Sequence, residues 1–461
     1  MTLAETLMAF VGRMRQSREP NKLKMDPDGV LQGSGSLKFY QPEVVTRPEE
    51  KQGANAAATA IKRATATAGK NQSPALARAL SIPCPDPTAE DRDRDRHQGH
   101  GTAMARQERW TDIAELMEEA DTERKKTSGG MPIAELLSYG ARADVVSAAE
   151  HALISGKPDH DAPLLDGIEA LEEVLAEFPD NPWIATIVAS AHMDIGWAWR
   201  GTGWEAEVRA QNKAAFEAHF DRAADILDQF DAVELNAPIL AAAKCALVAG
   251  MKVRSDQLVK AYDTYIDLDP ENARALRAFG AHLLPRWHGS YEQLELNARR
   301  VSGRHFEVWG SGGYALVMLD AISSDAEACK RLDLEFFVEG LRDILDRCRD
   351  QHTVNLLAAY CANTMGNSST GDDEADFIRA RIADSAEWIV RGKLKELHPM
   401  IWAHAARGFD NALRVRCAER FAASGYADAL RVITDIYRGE ASRQMRQSFS
   451  ANFSERQPQT A

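Results

Sequence analysis

The chain has few of the residues from which covalent or metallic frameworks are built. Its 461 residues include 6 cysteines, and none of Cys84, Cys245, Cys329, Cys348, Cys361 and Cys417 stands in a C-x-x-C pair. That spacing argues against a disulfide scaffold and fits reduced thiols in the cytoplasm. Cys245 and Cys361 sit inside apolar helical runs, where a free thiol acts as a small hydrophobe. No 18 consecutive residues are apolar, which excludes a transmembrane helix. The start, Met1-Thr2-Leu3-Ala4-Glu5, lacks the positive n-region of a secretory signal. Positive charge is short as well: 55 Lys and Arg against 69 Asp and Glu leave a formal net charge of −14. A nucleic-acid binder normally shows phosphates a basic face, so no nucleic-acid partner is expected. Strand-like alternation is absent over any useful length, which leaves an all-α chain.

Patterns that carry catalysis are missing too. No Ser or Cys sits in a G-x-S-x-G elbow. Gly303, Gly310, Gly312 and Gly313 form a loose run without the Lys or the strand–loop–helix context of a phosphate cradle. Gly310-Ser311-Gly312-Gly313 is instead expected to open a helix holding Leu316, Val317 and Leu319. His192 and Asp194 stand at i and i+2, which point to different helix faces. His97 and His100 have no Cys or carboxylate at a usual ligand spacing. Asp372-Asp373-Glu374 reads as a solvated helix N-terminus, where carboxylates favour the positive end of the dipole. The chain is therefore read as non-enzymatic, with no catalytic residue, metal or cofactor.

What the chain does have is helical periodicity, clearest from Ser255 to Arg299. Leu258, Tyr262, Tyr265 and Ile266 recur at i, i+4, i+7 and i+8, one stripe of an α-helix. Asp269-Pro270-Glu271-Asn272 stops that helix, because Pro disfavours helical geometry before it and has no N–H to donate. Leu276, Phe279, Gly280 and Leu283 form the next stripe. Gly280 costs about 1 kcal/mol relative to Ala in a helix interior, so its presence predicts a helix packed against its bare backbone.

The same reading predicts helices over 107–126, 132–139, 142–154, 164–178, 182–199, 205–230, 236–249, 255–268, 272–284, 290–301, 311–323, 332–349, 352–365, 373–391, 398–408, 409–424 and 426–438. Each offers one apolar stripe, so cores form only by stacking neighbours. Pro179 and Pro270 are 91 positions apart, no multiple of the roughly 34 of a standard array. The expected fold is all-α, an irregular α-solenoid of antiparallel helix pairs with a concave binding face.

Leu258, Tyr262, Tyr265, Ile266 and Pro270, then Leu276, Phe279, Gly280 and Leu283, resemble the second helix of one tetratricopeptide-like repeat and the first helix of the next. A longer resemblance overlays it. Ala198-Trp199-Arg200-Gly201-Thr202-Gly203 and Leu284-Pro285-Arg286-Trp287-His288-Gly289-Ser290 resemble the two signature segments of a poorly characterised bacterial family of tetratricopeptide-like proteins. Those segments read Ala-Trp-x-x-Arg-Gly and Pro-Arg-Trp-x-Gly-Ser. The first is shorter by two here, and His288 stands where the family usually has Gly. The likeness covers Leu164 to about Arg300 and implies a fold, with no activity attached.

Four regions follow. Residues 1–18 form a short amphipathic helix, with Leu3, Leu7, Phe10, Val11 and Met14 on one side, readable as a terminal helix, a docking peptide or a peripheral membrane contact. Residues 19–107 read as a disordered tether, broken by Pro20, Pro27, Pro42 and Pro48 and ending in the Asp/Arg alternation from Asp91 to Arg96. Residues 108–440 form the helical-repeat domain and 441–461 a flexible tail.

The candidate binding residues are Trp197, Trp199, Arg200, Trp204, Arg286, Trp287 and Ser290. Three Trp and an Arg among glycines at 196–204 suit a recognition surface, since Trp and Arg dominate binding hot spots. Trp199 and Arg200, with Arg286 and Trp287, are placed to make stacked or cation–π contacts. A competing reading has the Trp rings filling a corner of the fold while Arg286 bonds helix-end carbonyls, and this is preferred. The expected function is a protein–protein interaction scaffold holding a partner peptide or helix. The alternative is a small-molecule-binding protein or enzyme with a pocket near Trp199, Arg200, Arg286 and Trp287.

Overall fold

The computed structural model describes residues 80–153, 165–201, 208–251, 253–366, 369–408 and 417–454, with side chains up to residue 439. The expected N-terminal helix at 1–18, the tether up to residue 79 and the last part of the tail lie outside the described residues. Among the described residues the chain is all-α, with a single isolated bridge between Lys126 and Pro132. Contacts divide it into two units. The first runs from Ala89 to Leu332, and the second from Asp333 onward, taking in residues 80–88 as well.

The first unit holds α1 (Ala89–Ala105), α2 (Trp110–Thr122), α3 (Ile133–Ala152), α4 (Asp166–Glu177), α5 (Pro182–Arg200), α6 (Ala210–Leu227), α7 (Pro238–Gly250), α8 (Ser255–Leu268), α9 (Ala273–His282), α10 (Tyr291–Arg304), the single turn α11 (Phe306–Trp309), α12 (Gly312–Ser324) and α13 (Ala326–Lys330). Local chemistry sets many of these ends. Asn181 accepts from the N–H groups of Trp183 and Ile184 at 3.1 and 3.0 Å with Pro182 at the first helical position. That arrangement satisfies two donors with no partner inside the helix. Asn272 and Ser290 cap α9 and α10 in the same way. Gly201 ends α5 at φ 69°, a left-handed geometry that glycine adopts without strain.

Two helices, α5 and α12, are buried on nearly every side and form the centres of this unit. A helix apolar all round has to sit inside. Helices α3, α4, α6 and α7 pack around α5, and α9 and α10 pack on α12. Gly280 explains the α9–α12 crossing: a Cβ there would lie 1.7 Å from the Val317 carbonyl oxygen. The helix expected against this bare backbone is therefore present, and it is α12.

The tether assignment needs correcting at its end. Ala89–Ala105 is a helix. It holds on by small residues, since a Cβ on Gly101 would lie 2.2 Å from the Leu137 oxygen and one on Gly140 2.0 Å from the Gln98 oxygen. The Thr102 hydroxyl donates across the same crossing to the Gly140 carbonyl at 2.9 Å. The charged face also has partners, because Glu90 and Asp93 accept the N–H groups of Gly129 and Ser128 at 2.6 and 3.0 Å. An apolar stripe was the wrong signal for this helix. Ile133–Ala152 is likewise one helix rather than two, with Gly140 buried in its interior.

The second unit holds α14 (Leu334–Arg347), α15 (Gln351–Ala359) running into a π-turn at Tyr360–Met365, α16 (Asp373–Ala383), α17 (Ser385–Gly392), α18 (Pro399–Arg407) and α19 (Ala418–Ser454). Buried Asn355 ties it together: its oxygen accepts from the His398 N–H and the Trp402 indole at 3.0 and 2.9 Å. Its amide donates to the Gln351 and Glu396 carbonyls at 2.7 and 2.9 Å, so every bond an amide side chain can make is made. The Leu397 N–H donates to the Pro83 carbonyl at 2.8 Å, which brings residues 80–88 into this unit. Three expectations change here. The predicted helix over 373–391 breaks at Asp384. The helices predicted over 409–424 and 426–438 are one continuous α19 from Ala418, residues 409–416 lying outside the described residues, and residues 441–454, expected as flexible tail, continue it.

Candidate functional site

The two sequence motifs occupy two corners of the first unit. At the end of α5, Trp199 is buried and its carbonyl accepts from the Asn212 amide at 2.7 Å. Trp197 meets Phe216 and Phe220 edge-on, with centroids 4.9 and 5.8 Å away. The Arg200 guanidinium lies over the Trp197 ring at 5.7 Å, a cation–π contact within one helix. Trp204 lies outside the described residues.

Between α9 and α10, Arg286 donates to the Ser324 carbonyl at 3.4 Å and to its hydroxyl at 2.7 Å. This places the guanidinium on the C-terminal end of α12, where cations are favoured, as the packing reading expected. Trp287 meets His282 edge-on at 6.0 Å. Ser290 is the N-cap of α10. Arg286 Nε and Trp287 Nε1 are buried and bond no acceptor among the described residues. Burial holds the Arg286 pKa below its ordinary value, against the pull of Asp325.

The described contacts of Arg200 and Arg286 thus fall in separate corners. A chain of packed groups joins those corners: Phe220 fills the space beside Gly250, and His288 Nε2 bonds the Ala249 carbonyl at 3.2 Å.

Two polar centres were not anticipated. In the first, Glu172 accepts two bonds from Arg222, both at 2.7 Å, and a third from His192 Nε2 at 2.8 Å. Burial alone would raise the Glu172 pKa, but the bonds from Arg222 and His192 outweigh it and bring the carboxyl down to about 2. Ionised Glu172 keeps the His192 proton on Nε2, so His192 Nδ1 accepts from His219 Nδ1, 2.9 Å away. Burial lowers both histidine pKa values, so both rings are neutral. Asp194 bonds Arg142 at 2.7 Å and takes no part, in line with the i, i+2 argument.

In the second, Asp121 at the end of α2 is 5% exposed. Its Oδ1 accepts the Ile239 N–H at 3.0 Å, while Oδ2 bonds nothing among the described residues. Burial raises this carboxyl to about 7 against the opposing Ile239 bond. Arg124 beside it, at φ 54°, bonds the side chain of Asn236, at φ 50°, at 2.5 Å.

The open cleft lies in the second unit, between α14, α16 and α17. It measures about 480 Å³ and is lined by Leu334, Glu335, Val338, Arg342, Phe377, Arg381, Asp384, Ser385 and Trp388. Phe377 is 64% exposed within it. The Trp388 indole N–H is buried without an acceptor among the described residues, and Arg342 lies over the ring at 5.7 Å. The chain breaks between α16 and α17 at Asp384, which lines the cleft together with Ser385. Asp384-Ser385, a pair common at helix starts, was the available signal inside what periodicity reads as one helix.

Against known proteins, the chain matches no family model, no curated protein and no solved structure. Function therefore has to be argued from these sites. Among the described residues no group of three or more His, Cys, Asp or Glu side chains is arranged to hold a metal ion, and no helix is long and apolar enough to cross a membrane.

Proposed function

We propose that the protein is a non-enzymatic, cytoplasmic interaction module on a tetratricopeptide-like helical-repeat scaffold. It takes a helical or extended segment of a partner protein in the cleft of its second unit. The observation that carries this reading is the 64% exposed Phe377 in a cleft of mixed lining, beside Leu334, Val338 and Trp388, whose indole N–H bonds no acceptor among the described residues. Large exposed apolar side chains gathered in a groove mark interaction sites, and a buried donor without a partner is costly unless a ligand supplies the acceptor. In support of the scaffold, Pro270 separates α8 from α9 and Gly280 packs backbone to backbone at a helix crossing.

The test is affinity capture by the full chain from a lysate, with wild type and Phe377→Glu compared by mass spectrometry. A protein recovered by wild type and lost from the variant is the expected result. Equal capture by both, or none by wild type, would refute the cleft as the site.

A second reading, a small-molecule pocket at Arg286 and Trp287, draws on the two unsatisfied donors there. A metabolite at 100 Kd adds about 2.7 kcal/mol of stability, so a thermal-shift screen of wild type against Arg286→Ala decides it. A flat screen ends that reading.

A further inference from the structure

The first unit holds a much smaller cavity, of about 10 Å³, where α2 and α8 end and α7 begins. That is room for one water-sized species. Asp121, 5% exposed, lines it with one oxygen on the Ile239 N–H and the other, Oδ2, bonded to nothing among the described residues. Three carboxylates border the cavity, and two of them have a cation in contact: Asp269 holds Lys126 at 2.7 Å, and Glu135 holds Arg274 at 3.3 Å. Asp121 has no such contact among the described residues. Arg124 lies beside it but spends its N–H groups on the carbonyls of Asp121, Thr122 and Leu268, at 2.6, 3.1 and 2.9 Å, and on the Asn236 side chain at 2.5 Å. Lys125 pairs with Glu119 and Glu123. The remaining side-chain donors on the wall are engaged as well: the Tyr265 hydroxyl donates to Glu135 at 2.9 Å, and the Asn272 amide donates to that hydroxyl at 2.8 Å. From α7 come only Pro238 and Ile239, which carry no charge. What stays open at Asp121 Oδ2 is an acceptor and, once the carboxyl is ionised, an unmatched negative charge.

We propose that this cavity binds one small monovalent cation, ammonium or potassium, against Asp121 Oδ2. Either ion is close to a water molecule in size and brings the charge that a water lacks. The C-terminal ends of α2 and α8 meet here, and helix C-termini favour cations. A divalent ion is a poor match: it takes several carboxylates, and among the described residues no group of three or more His, Cys, Asp or Glu side chains is arranged to hold one. Cation and proton compete for the same carboxyl. Burial raises Asp121 to about 7 against the Ile239 bond and Arg124, and Glu135 and Asp269 add to the rise. The ion is therefore expected to bind at pH 8 and to give way to the proton at pH 5.

The experiment is thermal unfolding of the full chain at constant chloride, with ammonium, potassium or tetramethylammonium as the added cation. Tetramethylammonium is too large for the cavity and controls for ionic strength. At pH 8 the Tm is expected to rise as ammonium or potassium replaces it, by about 2–4 °C at saturation, and the larger rise tells which ion the cavity prefers. At pH 5 no rise is expected. Asp121→Asn keeps the acceptor for the Ile239 N–H and removes the charge, so its Tm should be the same in all three salts. A readout that needs no variant is a crystal soaked in thallium(I), which substitutes for either ion and should give an anomalous peak beside Asp121. Equal Tm values in the three salts at pH 8 would overturn the inference, as would a rise of the same size at pH 5. A cation response that survives Asp121→Asn, or a thallium-soaked crystal with no peak at Asp121, would also sink it, leaving a water or a proton alone to satisfy the carboxyl.

Discussion

At the scale of single residues, burial sets the behaviour of groups that would otherwise be ordinary. Asp121 is raised from its usual value of 3.8 to about 7 by burial. Its folded pKa exceeds its unfolded one, so its contribution to stability is fully present below pH 3.8 and lost as pH rises through about 7. Asp121→Asn keeps the acceptor for the Ile239 N–H and removes the charge. Its Tm should therefore exceed that of wild type at pH 8, by up to about 3–4 kcal/mol in stability, with the gap closing toward pH 4. A gap that does not change with pH would contradict this account. Gly280 sets two effects against each other. Ala would gain about 1 kcal/mol in helix propensity, but its methyl would sit 1.7 Å from the Val317 oxygen. Overpacking costs about 1–3 kcal/mol or more, and against backbone there is no side chain to swing away. Gly280→Ala should lose about 2 kcal/mol in urea unfolding; an unchanged midpoint would show that the crossing yields.

At the scale of elements, α4, α5 and α6 share the Glu172–His192–His219 chain with Arg222. Glu172→Gln would strand a guanidinium whose side chain is only 15% exposed. Breaking one partner of a buried pair costs about 3–5 kcal/mol, and urea unfolding at pH 7 measures it. The pH response runs opposite to that of Asp121. The histidines have depressed folded pKa values, so the unfolded chain binds protons they refuse, and stability falls as pH drops below 6.5. Glu172, held at about 2, contributes fully above 4.5 and loses that contribution as pH falls toward 2. In Glu172→Gln this last loss should vanish, which acid unfolding followed by circular dichroism would reveal.

The helices themselves were largely legible in the chain, and their failures are instructive. Ser255–Leu268 appears where its stripe places it, because Leu258, Tyr262, Tyr265 and Ile266 mark one face and Pro270 marks the end. Helix α1 is invisible to the same logic because Met104 is the one large apolar side chain on a buried face otherwise made of Glu90, Gln98 and Gly101, whose value lies in close approach and hydrogen bonding rather than in oiliness. The break at Asp384 was missed because Phe377 and Trp388 both fit one continuous stripe.

At the scale of the whole chain, the expected single repeat domain resolves into two units. The candidate binding residues at 197–200 and 286–290 fall in the first, where their described contacts are largely internal to the fold. The cleft with exposed Phe377 belongs to the second. Trp and Arg are frequent in hot spots, yet the same two residue types also serve well as corner packing and as a cap on a helix end. Only their neighbours tell these roles apart.

The amino-acid sequence alone determined the all-α character, the stripe of Leu258, Tyr262, Tyr265 and Ile266, and the stop at Pro270. Each is governed by residues a few positions apart and by the period of a single helix. The tertiary structure decided that Gly280 meets Val317, that Glu172 meets Arg222 fifty positions away, that Asp121 is buried under Ile239, and that Phe377 is left uncovered. Those outcomes depend on which faces meet across long stretches of chain, and helical periodicity identifies a face without naming the surface it will pack against.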